Sequence, residues 1–233
     1  MTNESQEVLP RHLGLILDGN RRWAKSQGLP TLKGHQAGLE NFKKISITAI
    51  NSGVPYVSGF MFSTDNWNRT KTEVNYLMQL IIKFSEKHVD EIISEDIRVV
   101  FVGMREGLPN RVLKAIDSAV TRTAKGTKGV IALCINYGGQ QEIVDAAKKL
   151  LRQRLDPIKL TAKDIEQALY APELPPIDLV VRTSGEYRVS GFMLWRIAYA
   201  EFIFVDKHWP AFNKQDLKMV LTYYAGRQRR FGK

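Results

Sequence analysis

The feature that most constrains the fold is an alternation of short apolar runs with longer amphipathic segments. Most of the runs are separated by segments with helical periodicity, a pattern typical of α/β domains in which helices cover both faces of a largely parallel sheet. With 233 residues and no repeat or long linker, the chain is expected to form one such domain. The predicted strands are residues 13–17, 56–62, 97–102, 130–135, 179–181 and 202–205.

The clearest predicted helix runs from residue 72 to residue 94. Thr72 is a candidate N-cap, and Glu73 lies near the positive end of the helix dipole. The apolar stripe of this helix could pack into the core or line a channel for a hydrocarbon chain. Further helices are predicted at residues 39–51, 109–125, 140–154, 161–170, 191–200 and 214–228.

Four of the predicted strands are followed by polar segments that carry arginine or glycine. In open parallel sheets, ligands bind beyond the carboxyl ends of the strands. We therefore expect the four segments to meet at one edge of the sheet. They are Asp18-Gly-Asn-Arg-Arg-Trp23, Ser63-Thr-Asp-Asn-Trp-Asn-Arg69, Asn136-Tyr-Gly-Gly139 and Arg182-Thr-Ser-Gly-Glu-Tyr-Arg-Val-Ser190.

The first segment has the composition of a phosphate and metal site. Gly19 permits a tight turn, a helix that begins near Asn20 would present free N–H groups, and Arg22 could hold phosphate oxygens bidentately. Asp18 beside them indicates Mg²⁺, which often takes one or two carboxylates plus substrate phosphates. The same residues could instead form a helix cap with solvated arginines. His35 could donate to the phosphate or be structural.

The segment after the fifth predicted strand could hold a second diphosphate. Arg182, Arg188 and Ser190 offer two guanidinium groups and a hydroxyl. The alternative is a surface loop in which an arginine pairs with Glu186. Glu201 is either half of a buried ion pair or a metal ligand. Two diphosphates and one metal suit a reaction in which one diphosphate departs while the other substrate is held in place.

The net charge of +10 suits nucleic acid, anionic lipid or a phosphorylated small substrate. The informative arginines lie at separate strand ends rather than in a nucleic-acid-binding module, so we expect no nucleic-acid partner. The single cysteine, Cys134, lies in an apolar run and fits a buried residue in a reducing cytoplasm. No segment matches a signal peptide or a membrane span. We expect a cytoplasmic protein that could touch a membrane surface.

Five motifs, in order, resemble those of the cis-prenyltransferases, the undecaprenyl diphosphate synthase family. Five motifs in one order are far more specific than any one of them. The Asp-Asp-x-x-Asp motif of trans-prenyltransferases is absent from the sequence. The motifs are His12-Leu-Gly-Leu-Ile-Leu-Asp-Gly-Asn-Arg-Arg-Trp-Ala24, Phe62-Ser-Thr-Asp-Asn-Trp-Asn-Arg69, Asn136-Tyr-Gly-Gly139, Asp178-Leu-Val-Val-Arg-Thr-Ser-Gly-Glu186 and Ile197-Ala-Tyr-Ala-Glu-Phe202, followed by Trp209-Pro210 and Arg229-Arg-Phe-Gly232.

The resemblance implies a Mg²⁺-dependent homodimer that condenses isopentenyl diphosphate onto an allylic diphosphate such as farnesyl diphosphate. A flexible tail, residues 1–11, would precede a catalytic domain, residues 12–233, with a six-stranded, mostly parallel sheet. The helix at 72–94 would wall a product tunnel, and residues 229–232 would reach a neighbouring subunit's site.

The resemblance also assigns roles to individual residues. Asp18 and, across the dimer, Glu201 would hold Mg²⁺, and Asn20 and Ser63 would help to remove the proton. The expected substrate-binding residues are Gly19, Arg21, Arg22, Trp23 and His35 for the allylic diphosphate, Phe62, Asp65, Trp67 and Arg69 on or beside a mobile loop, and Arg182, Arg188 and Ser190 for isopentenyl diphosphate.

Some positions depart from the family pattern. Met61 occupies a position where long-chain members have a small residue, so its bulk should limit elongation if it faces the tunnel. The other departures are Thr31 in place of a basic residue that Lys33 could replace, Tyr187 in place of histidine, Gly191 in place of asparagine, and Arg196 in place of glutamine. A non-catalytic partner subunit is the alternative function, and such a protein would be expected to have lost Asp18 or the arginines.

Overall fold

The strands of the computed structural model, which describes residues 8–227, form one sheet. The strands are β1 His12–Ile16, β2 Tyr56–Ser63, β3 Ile97–Val102, β4 Gly129–Tyr137, β5 Leu179–Thr183 and β6 Glu201–Val205. Their order across the sheet is β3-β4-β2-β1-β5-β6, and every neighbouring pair is parallel. The predicted α/β class and six-stranded sheet are confirmed.

Helices and short 3₁₀ turns connect the strands. The helices are α1 Asn20–Ser26, α2 Thr31–Asn51, α3 Lys71–Lys87, α4 Val89–Ser94, α5 Asn110–Thr123, α6 Gly139–Arg152, α7 Ala162–Ala168 and α8 Lys214–Ala225. The 3₁₀ turns are Thr64–Asn68, Pro157–Lys159 and Trp209–Ala211. No helix within residues 8–227 is both long and apolar enough to pass through a bilayer.

The internal strand β4 shows how the sheet separates two cores. Ile131, Leu133 and Ile135 pack with α2, α3, α5 and α8 on one face, whereas Val130 and Cys134 join the cluster on the other face. This alternation follows from the two-residue period of a strand. Cys134 is fully buried as predicted, and burial raises the pKa of its thiol.

Two helix predictions are wrong in detail. The helix predicted at 72–94 breaks at His88 into α3 and α4, and its N-cap is Thr70, whose hydroxyl accepts from the Glu73 N–H at 3.3 Å. The helix predicted at 191–200 is a series of turns. Gly191 and Met193 have φ values of 77° and 41°, which are incompatible with a right-handed helix.

The register of the sheet decides which predicted residues can meet. Ile16 pairs with Arg182, so Asp18 lies just beyond the carboxyl end of β1, beside the end of β5. Glu201 pairs with Leu179 at the amino end of β5 and therefore lies at the opposite edge of the sheet. The segment after β6 returns to the edge formed by the carboxyl ends of β1 and β5, where the Trp209 N–H donates to the Asp18 carbonyl at 3.0 Å.

Candidate active site

Asp18 is the junction of the polar segments that follow β1 and β5. Its Oδ2 accepts from Arg182 Nη2 at 2.8 Å, and its Oδ1 accepts from the Gly19 N–H at 2.7 Å and from Arg22 Nη2 at 3.3 Å. Burial acts to raise the pKa of this carboxyl, but the hydrogen bonds and charges of Arg182, Gly19 and Arg22 together lower it. Asp18 is therefore an anion at neutral pH.

The two arginines at and after the end of β5, Arg182 and Arg188, have different partners. Arg182 is almost fully buried, and its Nη1 donates to the Arg188 carbonyl at 2.6 Å and to Ser190 Oγ at 2.9 Å. The Glu186 carboxylate instead forms ion pairs with the exposed Arg188 at 2.5 Å and with Arg22 at 3.1 Å. Arg188 lowers the pKa of the Glu186 carboxyl. The alternative in which an arginine of this loop pairs with Glu186 therefore holds for Arg188, whereas Arg182 pairs with Asp18.

Two glycines of α2 allow Asn20, the first residue of α1, to pack closely against α2. A Cβ at Gly38 would lie 2.2 Å from Asn20 Oδ1, and one at Gly34 would lie 2.0 Å from the Asn20 carbonyl oxygen. Asn20 Nδ2 donates to the Leu17 carbonyl at 3.3 Å. Its Oδ1 is buried and accepts no hydrogen bond from the described residues. The predicted helix start at Asn20 is confirmed.

A second charged cluster centres on Glu73 of α3, which sequence analysis assigned only to the helix end. Its Oε1 receives His35 Nε2 and Arg69 Nη1, both at 2.9 Å, and Arg21 lies 4.0 Å from its Oε2. Burial is the main cause of the lowered pKa of His35, which is therefore neutral at pH 7. Arg69 precedes α3 and Glu73 lies in its first turn, so no helical periodicity in the sequence indicated this cluster.

Two cavities adjoin at these clusters. The larger, about 770 Å³, is bounded by Asp18, by basic residues of α1, and by the turn that follows α1. The smaller, about 100 Å³, is bounded largely by apolar side chains, among them Met61. The residues common to both linings are Leu17, Asn20, His35 and Arg69. A polar, cationic compartment therefore opens directly onto an apolar one.

A third cavity, of about 440 Å³, lies beside the ends of β2 and β4. It brings together Ser63, Asp65 and Ser190 with Gly138 and Gly191. Ser63 therefore shares a cavity with a residue of the β5 loop, and Asn20 lines a different pair of cavities. Gly191, the departure from asparagine, contributes no side chain to the lining of this cavity.

Comparisons with known proteins show the family to which the chain belongs. Residues 16–232 match the family model described as "Putative undecaprenyl diphosphate synthase". The chain belongs to this family of cis-prenyltransferases. A Ditrans,polycis-undecaprenyl-diphosphate synthase ((2E,6E)-farnesyl-diphosphate specific) of Legionella pneumophila is 42% identical over 229 residues, 96% of each chain. An isoprenyl transferase of Thermotoga maritima is 40% identical over 96% of this chain and 97% of its own.

A solved structure of the same fold also matches. Lavandulyl diphosphate synthase from Lavandula x intermedia, in complex with dimethylallyl diphosphate, superposes with a TM-score of 0.94 at 34% identity. The match covers 98% of this chain and 100% of the other. The fold predicted from the motifs is therefore that of the prenyltransferase family.

Several expected site residues of this prenyltransferase lie elsewhere. Phe62 is fully buried and packs edge-on against Trp67 with ring centroids 5.0 Å apart. Trp67 Nε1 donates to Asn136 Oδ1 at 2.8 Å, and the segment expected to be a mobile loop contains the 3₁₀ turn Thr64–Asn68. Trp23 is half-buried, outside the residues that line the three cavities.

Glu201 is also remote from Asp18 within one subunit. It accepts from Arg227 Nε at 3.2 Å at the amino edge of the sheet. The described residues contain no group of three or more histidine, cysteine or carboxylate side chains that could hold a metal. The expected segment 229–232 and residues 1–7 of the predicted tail lie outside the described residues.

Two departures from the family pattern acquire physical explanations. Lys25, not Lys33, lines the large cavity together with Thr31. Arg196 donates to the fully buried Glu142 at 2.9 Å, so the arginine neutralises a buried carboxylate. Glu142 also accepts from the Tyr137 hydroxyl at 2.6 Å. This cluster is structural and lies beneath the site.

Sequence analysis missed one contact at the site altogether. Ser184 Oγ and His208 Nδ1 lie 2.8 Å apart, and a Cβ at Gly19 would lie 1.9 Å from that hydroxyl and 2.8 Å from that nitrogen. Gly19 also has a φ of 98°, so it is required both by its conformation and by this close approach. Nothing in the sequence predicted that β5 and the return from β6 would meet here.

Proposed function

We propose that this prenyltransferase condenses isopentenyl diphosphate with an allylic diphosphate and makes a short cis-prenyl diphosphate in a Mg²⁺-dependent reaction. The observation that carries the proposal is the cationic cavity that opens, at Asn20, His35 and Arg69, onto a small apolar one. An allylic diphosphate has the same two parts, a highly charged head and a hydrocarbon tail.

The large cavity suits the allylic diphosphate. Arg22 and Lys25 line it, and Arg69 lies at its junction with the apolar cavity. As the carbon–oxygen bond breaks, negative charge grows on the departing diphosphate, and fixed guanidinium groups stabilise that charge. Arg22 pairs with the partly exposed carboxylates of Asp18 and Glu186 and donates to the Ser184 carbonyl at 3.4 Å, and it can exchange these partners for phosphate oxygens.

The loop after β5 suits the acceptor diphosphate. Arg182 Nε is buried without a hydrogen-bond partner among the described residues, although both terminal nitrogens of the same side chain are bonded. Arg188 is exposed on the same loop, and Ser190 lines a cavity with Ser63. A diphosphate held by Arg182, Arg188 and Ser190 would hold the isopentenyl double bond in position for attack.

The acceptor loses a proton after the new carbon–carbon bond forms. Asn20 Oδ1 is a buried hydrogen-bond acceptor without a donor among residues 8–227, at the junction of the two cavities. We assign it the role of orienting the atoms from which the proton leaves. Ser63 would assist from the third cavity.

The donor set fits Mg²⁺ in its usual substrate-assisted form. Mg²⁺ is commonly held by one or two carboxylates and the oxygens of substrate phosphates. Asp18 is such a carboxylate, because its pKa is lowered, and Glu186 is the second acid near it, joined to it through Arg22. When bound, the ion would neutralise charge on the departing diphosphate. Glu201 could join this set only from a second subunit.

A homodimer is supported by the exposed aromatic edge of the sheet. Phe202 stacks on Phe204, and Tyr187 packs on Phe204 at 5.1 Å. Tyr187 and Phe202 are exposed in the single chain. Unpaired sheet edges with large apolar side chains are usually covered by another chain. We propose a second copy as that cover.

The size of the apolar cavity supports a short product. A cavity of about 100 Å³ is smaller than the roughly 150 Å³ engineered cavity that holds one benzene ring. It therefore accommodates about one five-carbon unit before neighbouring side chains must move. The similar lavandulyl enzyme was solved with dimethylallyl diphosphate. We propose a short allylic starter and few condensation steps.

The test is incubation of the purified chain with Mg²⁺, labelled isopentenyl diphosphate and, in parallel, dimethylallyl, geranyl or farnesyl diphosphate, followed by chromatography. The expected result is a short product ladder that EDTA and Asp18→Ala abolish. A folded protein that incorporates no label from any starter would contradict the proposal and favour a non-catalytic partner subunit. A long ladder would retain the reaction but contradict the short-product part.

A further inference from the structure

A basic apolar face, defined here as residues 148–163, lies at the end of α6 and the start of α7. Every residue from 151 to 163 is exposed. Four of these are large aliphatic residues, of which Ile158 is 93% exposed and Leu151 is 74% exposed. Single exposed aliphatic residues are ordinary, but four within ten consecutive exposed positions form a patch that water solvates poorly.

The same face carries much of the protein's positive charge. It contains six basic residues and one acidic residue, a net charge of +5 against +10 for the whole chain. The acid, Asp156, is already engaged, because its Oδ1 accepts from the Ile158 N–H at 3.0 Å. The basic residues are Lys148, Lys149, Arg152, Arg154, Lys159 and Lys163.

The backbone presents this face on a fixed support. Helix α6 ends at Arg152, Arg154 follows with a φ of 55°, and Pro157–Lys159 form a 3₁₀ turn. Behind the face, Ala146 and Leu150 of α6 pack with Ala168 and Leu169, and Ile165 and Trp195 cover this cluster. The four exposed aliphatic side chains of the face therefore remain outside a core that is already formed.

We propose that the basic apolar face binds the surface of an anionic lipid bilayer. Aliphatic side chains can enter the boundary between headgroups and acyl chains while lysine and arginine contact the negative headgroups. Nucleic-acid surfaces combine basic residues with aromatic rings that stack on bases. The face has no aromatic residue, so its chemistry favours lipid.

This inference does not rest on the proposed reaction, because vesicle binding is measured without turnover. Full-length protein is sedimented with vesicles of phosphatidylcholine alone or with about one third phosphatidylglycerol. We expect binding to the anionic vesicles only, and weaker binding as salt concentration rises. Each basic residue near such a surface contributes roughly a fivefold factor in partitioning.

Two variants separate the components of the face. Arg152→Gln with Lys159→Gln should reduce partitioning at least about tenfold. Leu151→Ser with Ile158→Ser should reduce it with the charge unchanged, since insertion depends on buried apolar area. All four positions are exposed, so the thermal midpoint should not change. The matched control is Arg111→Gln with Lys114→Gln on α5, which should bind like the unaltered protein.

Three outcomes would overturn the inference. The first is an absence of sedimentation with anionic vesicles. The second is equal loss of binding in the α5 control, which would indicate an effect of net charge alone. The third is unaltered vesicle binding by the Leu151→Ser and Ile158→Ser variant together with competition by double-stranded DNA, which would make the face a general polyanion site.

Discussion

Arg182 Nη2 donates to Asp18 Oδ2 at 2.8 Å and so joins the carboxyl ends of β5 and β1. The proposed metal ligand and the proposed acceptor clamp are thus partners of each other before substrate arrives. A negative Asp18 holds Arg182 in place, and the Arg182 charge opposes the rise that burial would cause in the Asp18 pKa. The charge of the proposed metal ligand, Asp18, is thereby linked to the position of the proposed acceptor clamp, Arg182.

The substitution Asp18→Asn should lower kcat/KM by about 10²–10³-fold, because it removes a charge where the leaving group and metal are expected. Asparagine can still accept from Arg182, so the fold should persist. Steady-state kinetics and circular dichroism measure the two effects.

The control for this substitution is Asp117→Asn, which removes an aspartate paired with Arg105 at 2.7 Å on the surface of α5. Its activity should match that of the unaltered protein. Comparable losses in both variants would show that Asp18 acts only through stability.

The substitution Gly38→Ala should displace Asn20, because the new Cβ would lie 2.2 Å from Asn20 Oδ1. We expect kcat/KM to fall by about 10²-fold, since a small misplacement of a positioning group has effects of this size. Gly226→Ala is the control, because its Cβ would have no neighbour closer than 3.7 Å and its φ is −77°. Full activity of Gly38→Ala would remove Asn20 from the proposed chemistry.

Much of the fold could be predicted because it depends on local patterns. The continuous apolar run of β4, which is buried along its whole length, and the helical spacing of α3 are present in the sequence itself. The failure at residues 191–200 has a specific cause. The composition there is compatible with a helix, but Gly191 and Met193 adopt positive φ values that a right-handed helix does not contain.

The site was predicted where strand ends determine it and was missed where distant pairs determine it. The parallel register was enough to bring Asp18 to Arg182. The hydrogen bond between His35 and Glu73 joins residues 38 positions apart, and the contact between Ser184 and His208 depends on the path after β6. Neither has a local signature.

The substitution Arg196→Gln should lower the free energy of unfolding by about 3–5 kcal/mol. It would leave the fully buried Glu142 carboxylate without its cationic partner, and breaking a buried pair from one side has costs of this order. The double variant Arg196→Gln with Glu142→Gln should recover most of the loss. Urea unfolding of both variants measures the coupling. Additive losses would show that the pair is not coupled.

Stability should fall as the pH is lowered from about 6.5 to about 4, because burial lowers the pKa of His12 to about 4. In this window the unfolded chain binds a proton that the folded His12 does not, so acid favours unfolding by at most about 3 kcal/mol. His12→Gln should flatten this part of the curve, measured by urea unfolding at a series of pH values. An unchanged slope would exclude His12 as the source.

The substitution Met61→Ala should lengthen the products by about one five-carbon unit. Met61 lines the 100 Å³ cavity, and shortening its side chain adds volume next to the junction with the cationic compartment. Met78→Ala is the matched control, because Met78 is buried in the core and is absent from the lining of that cavity. Chromatography of labelled products should show a longer ladder for Met61→Ala alone. If both variants keep the original ladder, a different side chain limits elongation.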